Sequence, residues 1–244
     1  MHLDMVLFQP SQAHSEGSAG EGTDIASEDI ITALSHFNIS LFWWINSHNA
    51  PALDRFFLIV TYLGNAWVVV PILGLAVALK VPRERLLRVI LVSAVAMTAA
   101  GLGNSLVKVA VKRPRPSRYF AAEQKLLQSF ENGKPSGQKD NRSVHLVGHW
   151  YKNRRSFPSG HSNTAFVGAL VLGIALGGWW WLALIPAGLV AYSRVYLGAH
   201  FPLDCAGGAL IALAVGGSIL WLGLRAVGKS RAQHPKPWHK GDES

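Results

Sequence analysis

The chain has 244 residues, half of them hydrophobic and only 15% charged, with nine Trp, 24 Gly and a formal net charge of +9. That charged share is well below the usual quarter, and the Trp and Gly content suits a helical membrane protein, with Trp at the interfaces and Gly at helix contacts. The single Cys excludes an internal disulfide, and the basic residues lie between apolar segments, which argues for anionic lipid or a phosphate-bearing substrate and against nucleic acid.

Residues 1–29 hold six acids (Asp4, Glu16, Glu21, Asp24, Glu28, Asp29), no Lys or Arg, and much Ser and Gly. They read as a disordered acidic tail, without the basic start and apolar run of a signal peptide. Residues 30–47 mix Ile, Leu, Phe and two Trp with Ser, His and Asn. An interfacial amphipathic helix anchored by Trp43 and Trp44 is expected there, with a sixth spanning helix as the alternative. Residues 56–79 carry no charge and are long enough to cross a bilayer, which takes about 20 residues. A short basic turn at 80–88 (Lys80, Arg83, Arg85, Arg88) leads to a second span at 89–111, which contains Asn104 and Lys108.

Residues 112–157 are polar and irregular, with eleven Lys/Arg against three acids. Further spans are expected at 163–178, 180–197 and 205–224, the first two separated by little more than Trp179-Trp180-Trp181. Residues 225–244 are basic, contain Pro235 and Pro237, and read as a second disordered tail. The expected architecture is all-α: a polytopic membrane helix bundle of five clear spans plus the N-terminal helix, forming one domain over 30–224. Counting crossings puts the 112–157 loop and the 198–204 turn on the same membrane face.

Three clusters stand on that face. They are Lys108-Val-Ala-Val-Lys-Arg-Pro-Arg115-Pro116, Pro158-Ser159-Gly160-His161, and Ser193-Arg194 followed by His200 and Asp204. Taken singly, each has a plain explanation: cations at span ends anchor to headgroups or snorkel, and a lone His there is usually packed or interfacial. Taken together they form a phosphate site. A Ser-Gly pair ahead of a helix presents free N–H groups and allows close approach to the main chain. Lys108, Arg115 and Arg194 would surround phosphoryl oxygens, with Ser159 and the Gly160 N–H completing the cage. His200 and Asp204, four apart, come within reach of each other if they share a helix face, with Pro202 acceptable in its first turn. A carboxylate on one imidazole nitrogen fixes the tautomer and frees the other to attack, so His200 is the candidate nucleophile on phosphorus. His161 can protonate a leaving alkoxide near neutral pH.

The spacing Lys-x6-Arg-Pro, then Pro-Ser-Gly-His, then Ser-Arg-x5-His-x3-Asp resembles the type-2 phosphatidic acid phosphatase superfamily. Every motif position is filled, and the likeness covers about residues 100–210. The resemblance implies a metal-independent lipid phosphatase that needs no cofactor, with a covalent phosphohistidine at His200 and His161 acting as acid and then as base. It implies Lys108, Arg115 and Arg194 as phosphate ligands, and a site on the outer face of a bacterial inner membrane.

Two features depart from the commoner pattern: the weak N-terminal segment, and the long 117–157 interval, which is expected to form a substrate lid or headgroup site. The expected partners are membrane lipids and a phospholipid or polyprenyl phosphate substrate, foremost undecaprenyl diphosphate or phosphatidylglycerophosphate. Hydrolysis and transfer of the phosphoryl group to a lipid acceptor such as lipid A use the same motifs. A metal-dependent hydrolase built on His145 and His149 is disfavoured because the cations would repel the ion. A transporter is disfavoured because ionisable residues cluster at span ends on one face.

Overall fold

The computed structural model describes residues 22–122, 143–148 and 155–224, with the backbone alone for 22–28. The described residues are helical and hold no strand; one isolated antiparallel bridge pairs Pro114 with Arg155. Helix α1 (Gly22–Ser47) starts inside the segment expected to be a disordered tail. No Gly or Pro interrupts 23–47, so nothing stops the helix seeded by the apolar part. One stripe of α1, comprising Asn38, Phe42, Ile45 and Asn46, is buried. Trp44 is exposed, as an interfacial anchor would be, but Trp43 is half-buried and packs on Phe42 and Phe120.

The uncharged 56–79 segment is not one straight span. It is divided between α2 (Pro51–Tyr62) and α3 (Ala66–Lys80), bent by 62° at the break. A Cβ at Gly64, in that break, would lie 2.8 Å from Cβ of His161 and 2.8 Å from a Val190 methyl, so the chain turns where only glycine fits. The expected 80–88 turn shrinks to Val81 and Pro82, because α4 (Arg83–Val111) takes up the rest with Pro82 as its N-cap. Lys112 closes α4 in the left-handed region and turns the chain back towards the bundle.

Helix α5 (Gly160–Leu176) starts three residues earlier than expected and packs on α3, α4 and the two helices that follow. The Trp cluster forms a 3-10 turn (Gly178–Ala183) that runs directly into α6 (Leu184–Tyr196). The last helix, α7 (Pro202–Leu224), contains a π-helical stretch at Ala212–Gly217.

Among the described residues two helices, α4 and α7, are long and apolar enough to cross a membrane, or three spans if the bent α2–α3 pair is counted as one. Only 17% of the most apolar 18-residue window of α4 is buried inside the protein. Leu87, Leu91, Val95, Leu102 and Leu106 face outward instead. An apolar belt of that extent requires lipid, and the protein is a helical membrane protein.

The main core joins α3, α4, α5 and α7 through Leu73, Val77, Ala100, Val167, Val171 and Leu220. A second, aromatic-rich core (Phe42, Phe57, Tyr196, Phe201) lies at the end where α4 and α6 finish and α5 and α7 begin. There α7 and the start of α5 come into backbone contact: a Cβ at Gly208 would lie 2.3 Å from the Ser159 carbonyl oxygen. Gly208→Ala is therefore expected to force the two apart and destabilise the fold by about 1–3 kcal/mol, a fall of several degrees in thermal midpoint. Gly101→Ala, with nothing within 4 Å of the added methyl, serves as the neutral control in the same melting experiment.

Candidate active site

The convergence starts with local chain stops. Ser159 is the N-cap of α5 and accepts from the Ser162 N–H at 3.4 Å and the Ser162 hydroxyl at 3.1 Å. That fixes the helix start where Gly160 and His161 begin the first turn. Helix α6 ends in a turn whose Ala199 and His200 N–H groups both donate to the Arg194 carbonyl, at 3.0 and 3.1 Å. Pro202 is the first residue of α7, where a missing N–H is harmless. His200 thus precedes the helix that was expected to carry it. Its approach to Asp204 comes from the tight turn at the helix start, where the Phe201 N–H donates to Asp204 Oδ2 at 2.8 Å.

All eight residues expected in the site gather here. Arg115, Ser159, Arg194, His200 and Asp204 are buried, while Lys108, Gly160 and His161 are partly exposed. The charges of Arg194, Arg115 and Lys108 all act on His161, and those of Arg115, Asp204 and Arg194 act on Lys108. Arg115 donates to the Ala199 carbonyl at 2.9 Å, and Arg194 donates to the Thr61 hydroxyl at 2.8 Å. Each cation is thereby oriented by a neighbour on a different segment. Burial, first of all, holds the His200 imidazole down at about 3, well below the ordinary range; Arg115 and Arg194 add to the effect and Asp204 opposes it. Burial thus favours the neutral imidazole, in which one ring nitrogen carries a lone pair.

Five further residues complete the site. Arg113 Nη1 sits 2.8 Å from Asp204 Oδ1, both side chains buried, with its guanidinium 4.3 Å above the Phe201 ring. Ser156, fully buried, donates to Asp204 Oδ2 and lies 3.4 Å from His200 Nδ1. Thr61 and Gly64 come from the α2–α3 break. Asn104, one turn before Lys108, is buried beside Gly160. For Arg113 a signal was present in the sequence: a buried Asp needs a counter-charge, and three cations stand at 112–115. Ser156, Thr61 and Asn104 carried none.

The His145 side chain is not turned towards this centre. Its Nε2 lies 2.9 Å from Asp54, and its backbone is clamped by Asn46. His149 and most of the 117–157 interval lie outside the described residues, as do 1–21 and 225–244. Among the described residues no group of three His, Cys, Asp or Glu side chains is arranged to hold a metal ion.

A buried imidazole and carboxylate at the mouth of a cation-lined helix bundle define a class of enzyme that transfers phosphoryl groups. The profile of the PAP2 superfamily matches residues 89–227. The chain belongs to that superfamily of lipid phosphatases and is a phosphoric ester hydrolase. It is 28% identical over 179 residues to an undecaprenyl-diphosphatase of Sulfolobus acidocaldarius, covering 72% of this chain and 73% of the relative. The fold is similar to that of Aquifex aeolicus LpxE, with TM-score 0.55 and 29% identity over 75% of this chain and 94% of that one. It is also similar to a PAP2 type phosphatidylglycerolphosphate phosphatase from Bacillus subtilis, with TM-score 0.53 and 23% identity over 81% of this chain and 87% of that one.

Removing Arg113 leaves the Asp204 charge buried without its ion-pair partner. Arg113→Ala is expected to lower stability by about 3–5 kcal/mol, measured by denaturant unfolding in detergent.

Proposed function

We propose that the protein hydrolyses a polyprenyl diphosphate, with undecaprenyl diphosphate as the leading substrate, through a phosphohistidine on His200. The observation that carries this reading is the pairing of a neutral, buried His200 with Asp204 inside a ring of Lys108, Arg115 and Arg194. The archaeal undecaprenyl-diphosphatase relative supports the choice of lipid.

Phosphate oxygens enter the ring and are met by the three cations, the Ser159 hydroxyl and the Gly160 N–H. His200 Nε2 attacks phosphorus, the bond to the leaving oxygen breaks, and His161 gives that oxygen its proton. Water then attacks the phosphorylated imidazole, His161 takes the water's proton, and the N–P bond breaks to release phosphate. Asp204 stabilises the imidazolium that forms in the first step. Positioning and charge stabilisation supply most of the rate enhancement, as phosphoryl transfer requires.

The membrane reading that suits this site has five crossings: α3, α4, α5, the 3-10 turn with α6, and α7. The shortest of them gain support from their length. Helix α6 alone rises about 20 Å at 1.5 Å per residue, but the 3-10 turn adds about 12 Å, which together match a core about 30 Å thick. In this arrangement the basic end near Lys80, Arg83, Arg85 and Arg88 faces the cytoplasm, and the catalytic end faces the periplasm of a bacterial inner membrane. The phosphatase domain spans 30–224 in this reading.

Two measurements test the reading. Purified protein in detergent is expected to release phosphate from undecaprenyl diphosphate at full rate in EDTA, with His200→Ala folded but inactive; full activity in that variant would remove His200 as nucleophile. Asp204→Asn is expected to slow turnover by up to about 10⁴-fold while substrate is still bound, read from kcat and KM separately. An unchanged kcat would make Asp204 purely structural.

A further inference from the structure

The Asp204 carboxylate does not reach His200 by a direct hydrogen bond. Nδ1 and Oδ2 are 3.6 Å apart, an ion-pair distance and too long for a hydrogen bond. Nor is the carboxylate free to swing closer. Oδ1 is tied to Arg113 at 2.8 Å, and Oδ2 is tied to the Phe201 N–H at 2.8 Å. The hydroxyl of Ser156 touches both groups, donating to Asp204 Oδ2 and lying 3.4 Å from His200 Nδ1, nearer than the carboxylate oxygen.

That hydroxyl is rigidly placed. Ser156 is fully buried, its N–H donates to the Arg113 carbonyl at 2.7 Å, and the preceding residue, Arg155, is bridged to Pro114. The segment that delivers Arg113 to Asp204 is thus paired with the segment that delivers Ser156. A hydroxyl has one proton to give and two lone pairs to offer. An ionised carboxylate only accepts, so the Ser156 proton points at Asp204 Oδ2. The oxygen then has only lone pairs left for His200, and only an Nδ1 that carries a proton can bond to them. The tautomer follows: the proton sits on Nδ1 and the lone pair on Nε2, the nitrogen required for attack.

We infer that Ser156 is the positioning residue of the nucleophile, donating to Asp204 and accepting the Nδ1–H of His200, so that the carboxylate acts on the imidazole through a hydroxyl. This rests on His200 being the nucleophile. In the resting protein the Ser156–His200 contact is long, at 3.4 Å. It shortens when Nε2 bonds to phosphorus and the ring gains positive charge, because catalytic hydrogen bonds tighten as charge develops. Loss of the hydroxyl therefore acts on the chemical step more than on phosphate binding.

The test uses the full-length protein in detergent, farnesyl diphosphate as a soluble isoprenyl substrate and orthovanadate as a probe of the phosphate cage. In Ser156→Ala, kcat is expected to fall about ten- to a hundredfold, while KM and vanadate inhibition change less than about twofold. Ser156→Thr, which restores the hydroxyl, is expected to recover kcat to within about threefold of wild type. Wild-type kcat in Ser156→Ala overturns the inference. So does a kcat loss matched by an equal loss of vanadate inhibition, since Ser156 would then shape the cage as a structural residue. Ser156→Thr as slow as Ser156→Ala, with vanadate inhibition intact in both, also overturns it. His200→Ala run alongside separates the two readings. Turnover surviving there removes the nucleophile itself, whereas turnover lost there but kept in Ser156→Ala removes only the role of Ser156.

Discussion

A carboxylate with no exposed surface has to be answered by the protein around it, and Asp204 is such a carboxylate. An isolated buried charge of this kind is unfavourable by many kcal/mol, so it persists only where every lone pair is met. Arg113 arrives from the segment after α4, Ser156 from the segment before α5, and the Phe201 N–H from the start of α7. The backbone takes part as well, since the Asp204 carbonyl accepts from the Ser159 N–H at 2.8 Å. Satisfying one residue therefore gathers three loops, and the catalytic end of the bundle is assembled around that requirement.

The same gathering packs cations closely. Arg115 and Arg194 act on one another, and both act on Lys108 and His161. Asp204 offsets only part of that positive charge, and its carboxylate is turned towards Arg113. In the function proposed above, that clustering of positive charge suits a dianionic phosphoryl group. Burial first, and then Arg115 and Arg194, hold the His200 imidazole towards its neutral form. In that reading charge placement serves binding and the nucleophile at once, and the helices supply the rigid frame on which it depends.

The broken α2–α3 segment shows how the frame reaches the chemistry. A straight helix over 56–79 would pass the site by. The 62° bend instead lets Thr61 hold Arg194 and brings the bare Gly64 backbone against His161. Helix α1 closes the aromatic core on the outer side through Phe42, and Asn38 Oδ1 accepts from the Leu203 N–H at the start of α7 at 3.0 Å. These contacts support the turn that carries His200.

Much of this was legible in the chain itself. Apolar runs announced the helices because spanning a bilayer demands length and hydrophobicity, both of which are one-dimensional properties. The eight site residues were legible because phosphate chemistry demands particular side chains at span ends: Lys108, Arg115, the Ser159-Gly160-His161 turn, Arg194, His200 and Asp204. The break at Gly64 was not legible, since glycine is common in membrane helices and only the His161 and Val190 side chains give it a reason. Which residues meet Asp204 was not legible either, beyond the signal that one of the cations at 112–115 would be its counter-charge. Arg113 and Ser156 lie 91 and 48 residues away along the chain, and nothing local distinguishes them from neighbouring cations and serines. Composition and motif spacing by themselves determined an all-helical membrane phosphatase and the candidate residues that gather around Asp204. Only the tertiary structure decided how the buried charge of Asp204 is met, because that depends on which distant backbone segments close on the same point.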